Sequence, residues 1–450
     1  MTDSYREPSH AYLNIISDEA THFAKTTEHE FTHNYPGASE QLHHRLEELI
    51  KEQSDTTISV AQQIHANPQT AFKEVHAAQL IATTLTNYGI PTEPGAYSLA
   101  TALHAEVSSA NYNPKQHPTI AILAEYDALP EIGHACGHNL ITASGLGAFT
   151  ALVALIKENP TAFSGRIKFL GTPAEEGHSG KEYMAQAGAF DDVDAAIMIH
   201  PFTSDTAQVT WIGRRTLTVT FTGKAAHASS QPFMGVNALD AASLAYQGIG
   251  LLRQQMPSSD RVHAVIAEGG TRASIITENA TMNLYVRSKY PETLQDLSEK
   301  VENVMRGAAL MTGCGVDIQW DAVPASLPVR TNQTLTDLWV RAQRRRGKNP
   351  QAFGSVPDTL AASTDFGNVS YRVPGIHPVI QTAPESSALH TRDFAEYANT
   401  EQAYATAIDA AYSLAAVALD YCTNPQIASD ATTEFEAAGG ATTPADFFDH

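Results

Sequence analysis

Three short apolar segments, separated by stretches of helical character, constrain the fold most strongly. They are residues 119–124, 166–170 and 195–199, of which the second is partly polar. Residues 139–159 and 179–188, which lie between them, have the composition of helices. Short buried strands that alternate with helices are typical of a mostly parallel sheet. The sequence therefore predicts an α/β fold with helices on both faces of a central sheet.

Polar side chains follow each of these predicted strands. Glu125 and Asp127 come after the first strand, Glu175 and Glu176 after the second, and His200 directly after the third. The carboxyl ends of parallel strands meet at one edge of a sheet, where α/β proteins bind their ligands. We therefore expect these five side chains to lie close together.

A different order of elements is predicted for residues 208–325. Alternation and helical spacing indicate the order βαββαβ, which is the ferredoxin-like arrangement. The predicted elements are residues 216–222, 235–254, 262–267, 281–287, 291–311 and 316–320. We expect a compact domain inserted between two parts of the first domain, residues 39–207 and 326–422, with a final helix at 400–421.

Both ends of the chain lack this apolar periodicity. Residues 1–38 are polar, with several His and Pro, and are predicted to form an extended arm. Helical spacing begins after Ser39, a plausible helix cap. Residues 423–450 contain five acidic residues and no Lys or Arg, and are predicted to be a disordered tail.

Composition restricts the compartment and the partners. The formal net charge of -21 argues against nucleic acid, because phosphate binding needs a surplus of Lys and Arg. No apolar run reaches about 18 residues, and the first residues lack the pattern of a signal peptide. Three cysteines (Cys136, Cys314 and Cys422) are too few for a disulfide framework. We therefore expect a cytoplasmic protein with no membrane association.

Residues 134–139 form the densest group of potential metal ligands. Cys136 and His138 are two residues apart, and Gly137 between them permits a tight turn. A thiolate and an imidazole placed in this way can reach one ion. Taken alone, Cys136 is more simply explained as a small buried hydrophobic residue.

Two adjacent carboxylates, Glu175 and Glu176, follow a strand and a proline. Neighbouring side chains diverge there, so one can bind a metal while the other acts as a general base. A solvated loop is the ordinary alternative, but the strand end and the ligand-rich loop upstream favour a site. His200 is a further ligand candidate at a strand end, whereas His390 lies too far along the chain for spacing to support it.

Several motifs, taken in order, resemble those of a known family. They are residues 125–130, 134–139, 171–176, 200–201, 223–227 and 389–390. Over roughly residues 40–420 the chain is similar to the aminoacylase and carboxypeptidase G metallopeptidases, peptidase family M20. Residues 136–139 and 363–370 look most similar to the Xaa-Arg or β-alanyl-lysine dipeptidase subgroup.

The resemblance implies a zinc-peptidase-like catalytic domain with an inserted lid and dimerisation domain. It also implies two divalent metal ions, with Cys136 as the bridging ligand. The implied ligands are Cys136, His138, Glu176, His200 and His390. Glu175 would be the general base. Asp127 would not bind the metal itself but would orient one of the metal ligands.

Three further positions follow from the resemblance. His227 matches a histidine that reaches across a dimer to the partner's active site and stabilises the oxyanion; a hydrogen-bonded lid histidine is the alternative. Arg287 lies where an arginine can hold a substrate carboxylate. This sequence departs from the family pattern at two positions. Ser274 stands where family members commonly have asparagine, and Thr277 where they have proline. If the asparagine binds substrate, Ser274 weakens or redirects that contact.

The implied function is metal-dependent hydrolysis of a dipeptide. The resemblance to the subgroup suggests a dipeptide with a basic C-terminal residue or a β-alanyl group. The alternatives are an N-acyl-amino-acid amidohydrolase and a non-catalytic relative that binds amino-acid conjugates. A thiolate with three imidazoles favours zinc, although cobalt or manganese could substitute. The expected partners are the small-molecule substrate and a second copy of the chain, bound through the lid domain.

Overall fold

The computed structural model describes residues 9–358 and 361–448, and a five-stranded, mostly parallel sheet lies at its centre. The strands are β1 (Leu103–Ser108), β2 (Thr119–Ala124), β3 (Arg166–Gly171), β4 (Ala195–Ile197) and β10 (Gly375–Ile376). Their order is β1-β3-β2-β4-β10, and β1 pairs with β3 in the antiparallel sense. Two further short strands, β5 (His200–Phe202) and β11 (Val379–Gln381), pair in parallel beside it. The α/β prediction is confirmed.

Helices pack around this sheet. They are α2 (Glu40–Ala66), α3 (Val75–Asn87), α4 (His138–Glu158), the distorted turn α5 (Glu175–His178), α6 (Gly180–Gln186), α9 (Gln333–Arg345), α10 (Phe366–Ser370), α11 (Arg392–Tyr397) and α12 (Glu401–Thr423). Helix α4 contacts β2, α2 and α12. Among the described helices, α4 is the one long and apolar enough to span a membrane, and 94% of its apolar window is buried inside the protein. It is therefore a core helix here.

The inserted region forms a second sheet with its own core. Strands β6 (Gly213–Thr222), β7 (Arg261–Glu268), β8 (Asn279–Ser288) and β9 (Gly315–Trp320) are arranged in the order β7-β8-β6-β9, and every pair is antiparallel. Helices α7 (Ala238–Leu252) and α8 (Pro291–Thr312) pack on one face of this sheet. Apolar residues on β6 and β8 alternate inward and meet those of α7 and α8. The observed order of elements is βαββαβ.

The prediction of an extended arm for residues 1–38 is wrong for part of its length. Residues 1–8 lie outside the described chain, and Ala11–Thr26 forms helix α1. Ile16 is buried, and the ring of Phe23 lies near Gly354, so a few apolar residues at helical spacing suffice to dock this helix. The segment that follows is held by Asp337 of α9, whose carboxylate accepts hydrogen bonds from the Thr32 amide and hydroxyl.

The prediction of a disordered tail is also wrong over its described part. Residues 425–437 form helix α13 (Pro425–Ala437), capped by Asn424, and helix α14 (Pro444–Phe448) follows. Ile427, Ala431 and Phe435 lie four residues apart and are buried. This narrow stripe packs against α9, although the acidic composition of the segment suggested disorder. Residues 449–450 lie outside the described chain.

Candidate active site

The loop before α4 brings two potential ligands into one site. Gly137 has φ 75, a left-handed conformation that favours glycine, and a Cβ at this position would lie 2.9 Å from Pro201. The turn places Cys136 just before the helix and His138 in its first turn. The left-handed conformation and the close approach to Pro201 explain why a glycine stands between these two candidate ligands.

The Cys136 thiol lies at the centre of a cluster of donor atoms. Its Sγ is 3.6 Å from Nε2 of His200 and 3.5 Å from Nε2 of His390. Three groups of donors could each hold an ion, the atoms of each group lying within 4.8 Å of one another. They are Cys136, His138 and His200; Cys136, Glu176 and His390; and His138, Glu175 and Glu176. Cys136 belongs to two of them, so its sulfur can serve two ions.

Both buried histidines present Nε2 to this cluster because Nδ1 is engaged elsewhere. Nδ1 of His138 donates to Oδ1 of Asp127 at 2.9 Å, and Nδ1 of His200 donates to the Pro201 carbonyl at 2.7 Å. Such partners fix the tautomer that leaves Nε2 free for a metal. Oδ2 of Asp127 also accepts a hydrogen bond from the Glu176 amide at 2.9 Å, so Asp127 holds two candidate ligands in place.

Three buried atoms at this position form no well-aligned hydrogen bond among the described residues, although two of them, on His138 and Glu125, lie 3.3 Å apart. They are Nε2 of His138, Oε1 of Glu176 and Oε2 of Glu125. Buried polar atoms are rarely left unpaired, because desolvation costs about 1–3 kcal/mol for each. Together with one sulfur, imidazole nitrogens and a carboxylate, they suit divalent ions of the zinc type. The residues present therefore fit a two-metal site.

The turn after β3 carries the two adjacent glutamates between two residues with positive φ. Ala174 adopts φ 60 and ψ 43, a left-handed conformation that is uncommon outside glycine, and Gly177 has φ 77. Oε1 of Glu176 lies 3.5 Å from Nε2 of His390, whereas Glu175 groups with His138 and Glu176. Ligand oxygens of the two carboxylates nevertheless lie within 4.8 Å of each other, so the predicted divergence of these side chains stays a prediction.

Burial and neighbouring charges shift the pKa values of these groups. Burial and the carboxylates of Glu125 and Glu176 raise the pKa of Glu175 well above its usual value. Burial also raises the pKa of Glu176, to about 7, and lowers that of His200 to about 4. Burial would lower the pKa of His138, but the carboxylates of Glu125 and Asp127 raise it well above its usual range.

His390 reaches the site through the tertiary fold. It lies between β11 and α11 with φ 62, and its amide donates to the Ala135 carbonyl at 2.9 Å. This backbone bond ties a loop some 250 residues away to the cysteine loop. The structure thus provides the physical reason for His390 that spacing could not provide.

A buried charge network lies behind the site, and sequence reasoning missed it. The Lys181 ammonium is fully buried and contacts Oε1 of Glu125 and, at 2.6 Å, Oδ1 of Asp365. Oε2 of Glu125 lies 3.3 Å from Nε2 of His138. Lys181 therefore fixes Glu125 against His138, a candidate metal ligand. The placement of Glu125 at a strand end was the available signal, whereas Lys181 could equally have been a loop charge.

A cleft of about 580 Å³ opens over the cluster, between the two sheets. From the central domain it is lined by Cys136, Glu175, Glu176, His200, Asp365 and His390, and from residues 208–325 by Trp211, Arg214, Arg261, His263, Tyr285 and Arg287. Arg287 thus lies where a substrate would bind. Trp211 and the inserted-domain residues other than Arg287 had no distinguishing signal in the sequence.

Two predicted residues are not brought to this cleft. His227 and Ser274 are exposed on the inserted domain and lie outside the cleft lining. Nδ1 of His227 accepts hydrogen bonds from the Ser229 and Ser230 amides, both at 3.2 Å. Its Nε2 is therefore the protonated nitrogen of the neutral ring, available as a donor to another molecule.

Comparison with known proteins agrees with this geometry. The profile of peptidase family M20/M25/M40 matches residues 121–416. The Xaa-Arg dipeptidase of Mus musculus is 36% identical over 414 residues, which cover 89% of this chain and 95% of that protein. One of the subunits of the p-aminobenzoyl-glutamate hydrolase of Escherichia coli is 27% identical over 459 residues, which cover 85% of this chain and 92% of that protein.

A solved structure shares the same fold. It is that of a dinuclear metal-binding peptidase of Bacillus subtilis, with a TM-score of 0.62 and 22% identity, covering 82% of this chain and 99% of that one. The family profile alone spans more than half of the sequence. The chain therefore belongs to peptidase family M20/M25/M40.

Proposed function

We propose that this protein hydrolyses the peptide bond of a dipeptide and depends on two divalent metal ions. The observation that carries the proposal is the sharing of Cys136 by two groups of donor atoms, with Glu175 beside them. The similarity to a dipeptidase over most of both chains supports the dipeptide as substrate. The ligands are Cys136, His138, Glu176, His200 and His390.

The metal ions, when bound, supply Lewis acidity and make water a better nucleophile at neutral pH. Glu175 removes a proton from the attacking water and then delivers it to the leaving amine. The raised pKa of Glu175 suits it to hold that proton between the two steps. Asp127 holds His138 and the Glu176 backbone in place throughout.

Zinc is the metal we propose. One thiolate sulfur among imidazole nitrogens is a borderline-soft donor set, which suits zinc and also accepts cobalt or manganese. The three cysteines are free, which supports a reducing compartment and hence a cytoplasmic location. Cell fractionation tests the location, and metal analysis of protein purified without added metal tests the ion.

We also propose that the enzyme works as a homodimer formed through the inserted domain. His227 is exposed, and its free Nε2 can donate to the substrate oxyanion in a partner's cleft. Strand β7 is an edge strand of its sheet, and Val265 and Ile266 on it are 58% and 37% exposed. Exposed apolar edge strands tend to pair with another chain, which supports an interface there.

Two substrate alternatives remain. The Xaa-Arg dipeptidase relatives favour a basic C-terminal residue, whereas the similarity to p-aminobenzoyl-glutamate hydrolase favours deacylation of an acidic amino acid. In either case Arg287 binds the carboxylate of the leaving residue. Ser274 is the other proposed substrate contact, and its exposure means that it would act from the dimer partner.

The decisive experiment is an activity panel of dipeptides and N-acyl amino acids on metal-loaded enzyme, with Glu175→Gln as the matched variant. The wild-type enzyme should cleave dipeptides, and Glu175→Gln should reduce kcat by at least about a hundredfold. Metal content should not change, because Cys136, His138 and the other ligands remain. Full activity of the variant would refute the role of Glu175, and a wild-type enzyme inactive on the whole panel would refute the proposed function.

A further inference from the structure

A buried carboxylate, Glu74, contacts the turn that carries the proposed general base. Glu74 lies directly before helix α3, and Ala174 directly precedes Glu175. Oε1 of Glu74 accepts hydrogen bonds from the Phe72 amide at 2.9 Å and from the Ala174 amide at 3.0 Å. One carboxylate oxygen thus joins the loop before α3 to the turn after β3, 100 residues further along the chain.

Both of these amides belong to residues with an unfavourable backbone conformation. Phe72 has φ 61 and Ala174 has φ 60, values that residues other than glycine seldom adopt. Such a conformation persists only where the surrounding structure holds it in place. The bond from the Ala174 amide to Glu74 is one restraint, and the Gly180 amide, which donates to the Ala174 carbonyl at 3.0 Å, is another. The direction in which the chain enters Glu175 therefore depends on Glu74.

The second oxygen of Glu74 connects this turn to the residues that follow strand β2. Oε2 accepts a hydrogen bond from the Thr101 hydroxyl at 2.9 Å. The Thr101 carbonyl accepts one from the Tyr126 hydroxyl at 2.6 Å, and Tyr126 lies between Glu125 and Asp127 in the sequence. The side chains of Thr101 and Tyr126 are buried. Buried hydrogen bonds thus link the two strand ends that carry the acidic residues of the site.

Glu74 has no cation beside it. Within residues 9–358 and 361–448, its carboxylate forms no ion pair with Lys, Arg or His. Burying an unpaired carboxylate is unfavourable, and groups that reduce stability in this way are characteristic of functional sites, where they hold strained backbone. Burial and the nearby Asp127 raise the pKa of Glu74 to about 7. The turn that it holds is the most direct reason for its presence.

We propose that Glu74 is a positioning residue for the general base: by holding the Ala174 amide, it keeps the Glu175 carboxylate directed at the donor cluster. A displacement of a catalytic group by about 1 Å can reduce turnover by about a hundredfold. Glu74 itself belongs neither to the groups of donor atoms nor to the cleft lining. This inference rests on the proposed hydrolysis and adds a residue that acts through Glu175.

The variants Glu74→Leu and Glu74→Gln test the role of the hydrogen bonds. Leucine leaves the Ala174 amide buried without an acceptor, whereas the oxygen of a glutamine amide can accept both backbone hydrogen bonds. With saturating zinc and the best dipeptide of the activity panel, Glu74→Leu should lower kcat by about 10- to 100-fold and leave KM within about threefold. Arg287, the proposed substrate contact, lies on another domain, so KM should not follow kcat. Glu74→Gln should retain kcat within about threefold because its hydrogen bonds remain.

Glu434→Leu is the matched control. Glu434 on α13 accepts hydrogen bonds from the Gln333 and Thr334 amides, at 2.5 and 3.0 Å, and from the Thr334 hydroxyl at 3.1 Å, but it lies outside the cleft lining. Its variant should lower the melting temperature and keep the wild-type kcat. A wild-type kcat in folded Glu74→Leu would overturn the inference, as would equal losses in Glu74→Leu and Glu74→Gln. An equal loss in Glu434→Leu would also overturn it, because reduced stability would then explain the effect.

Amide hydrogen exchange of the metal-free protein separates this inference from the proposed function. Peptides that contain residue 174 should exchange at least about fivefold faster in Glu74→Leu than in the wild type, and at the wild-type rate in Glu434→Leu. If the wild-type enzyme cleaves no dipeptide, the proposed function fails and exchange alone decides whether Glu74 holds the turn; unchanged exchange overturns the inference. If Glu74→Leu does not fold, Glu74→Asp, which withdraws the carboxylate by one methylene group, replaces it in both measurements, and an unimpaired Glu74→Asp enzyme overturns the inference.

Discussion

Replacing Lys181 by Met tests whether the network behind the site is as tightly coupled as its geometry indicates. The Lys181 ammonium is fully buried between Glu125 and Asp365, and both carboxylates are shielded from water. The methionine side chain is similar in length to that of lysine but carries no charge. Two buried carboxylates then lose their counter-ion, and Glu125 also loses the contact that fixes it against His138.

The expected cost is large because breaking a buried pair leaves an uncompensated charge in a medium of low polarity. Such losses are about 3–5 kcal/mol. The free energy of unfolding should be measured by urea denaturation of the metal-free protein, since bound metal would add its own stabilisation. Unfolding is read out by tryptophan fluorescence, to which Trp211, Trp320 and Trp339 contribute; Trp339 is buried in the same core as the central sheet.

A rescue and a control make the measurement specific. Removing the second charge as well, in Lys181→Met with Asp365→Asn, should recover part of the loss, because fewer buried charges remain unpaired. Lys300→Met breaks an exposed pair with Asp296 on α8 and should change the free energy of unfolding by less than about 0.5 kcal/mol. A loss below about 1 kcal/mol for Lys181→Met, or a double variant no more stable than the single one, would refute the reasoning.

Three further predictions follow from the site and its supports. Cys136→Ser should weaken metal binding by more than the roughly 10- to 100-fold typical of losing an outer-shell partner, measured by competition with a chelator; unchanged affinity would exclude a bridging thiolate. If His227 acts across the dimer, inactive His227→Ala and Glu175→Gln chains should regain activity when unfolded and refolded together, and a mixture that stays inactive would contradict the shared site. Gly367→Ala places a Cβ 1.8 Å from a backbone carbonyl oxygen and should lower the free energy of unfolding by about 3 kcal/mol, whereas Gly307→Ala on the open face of α8 should not destabilise the protein. Equal melting temperatures for those two variants would contradict the prediction, because they would show that the backbone around residue 367 shifts without cost to accommodate the added Cβ.

Local patterns in the sequence predicted the elements that carry most of the site. The strand at residues 119–124 and the helix that follows Gly137 have the predicted character because their apolar runs and turn residues are local signals. Glu175 and His200 follow the ends of predicted strands, and the rule for parallel sheets therefore predicted that they would lie close together. The resemblance carried by motif order implied the proposed roles of Asp127 and Cys136; composition alone would have left Cys136 as a buried hydrophobic residue.

The two ends of the chain show where composition misled. Helix α13 is acidic and contains only a narrow apolar stripe, so an average over the segment indicates disorder. Its stability comes from docking on α9, and α1 is likewise held through contacts with distant residues. Marginal helices of this kind depend on tertiary packing more than on propensity.

The sequence by itself therefore determined the α/β class, the order of the elements in the inserted domain and the residue types of the proposed two-metal site, because each depends on neighbours a few positions away. Only the tertiary structure decided that His390 joins Cys136, that Lys181 holds Glu125, and that Arg214 stands beside Arg287. These contacts depend on strand register and on loop packing between residues far apart in the chain. The alternating apolar residues of β6 and β8 set the face on which each side chain lies, whereas the pairing of Arg214 with Arg287 depends on how two strands about 70 residues apart align.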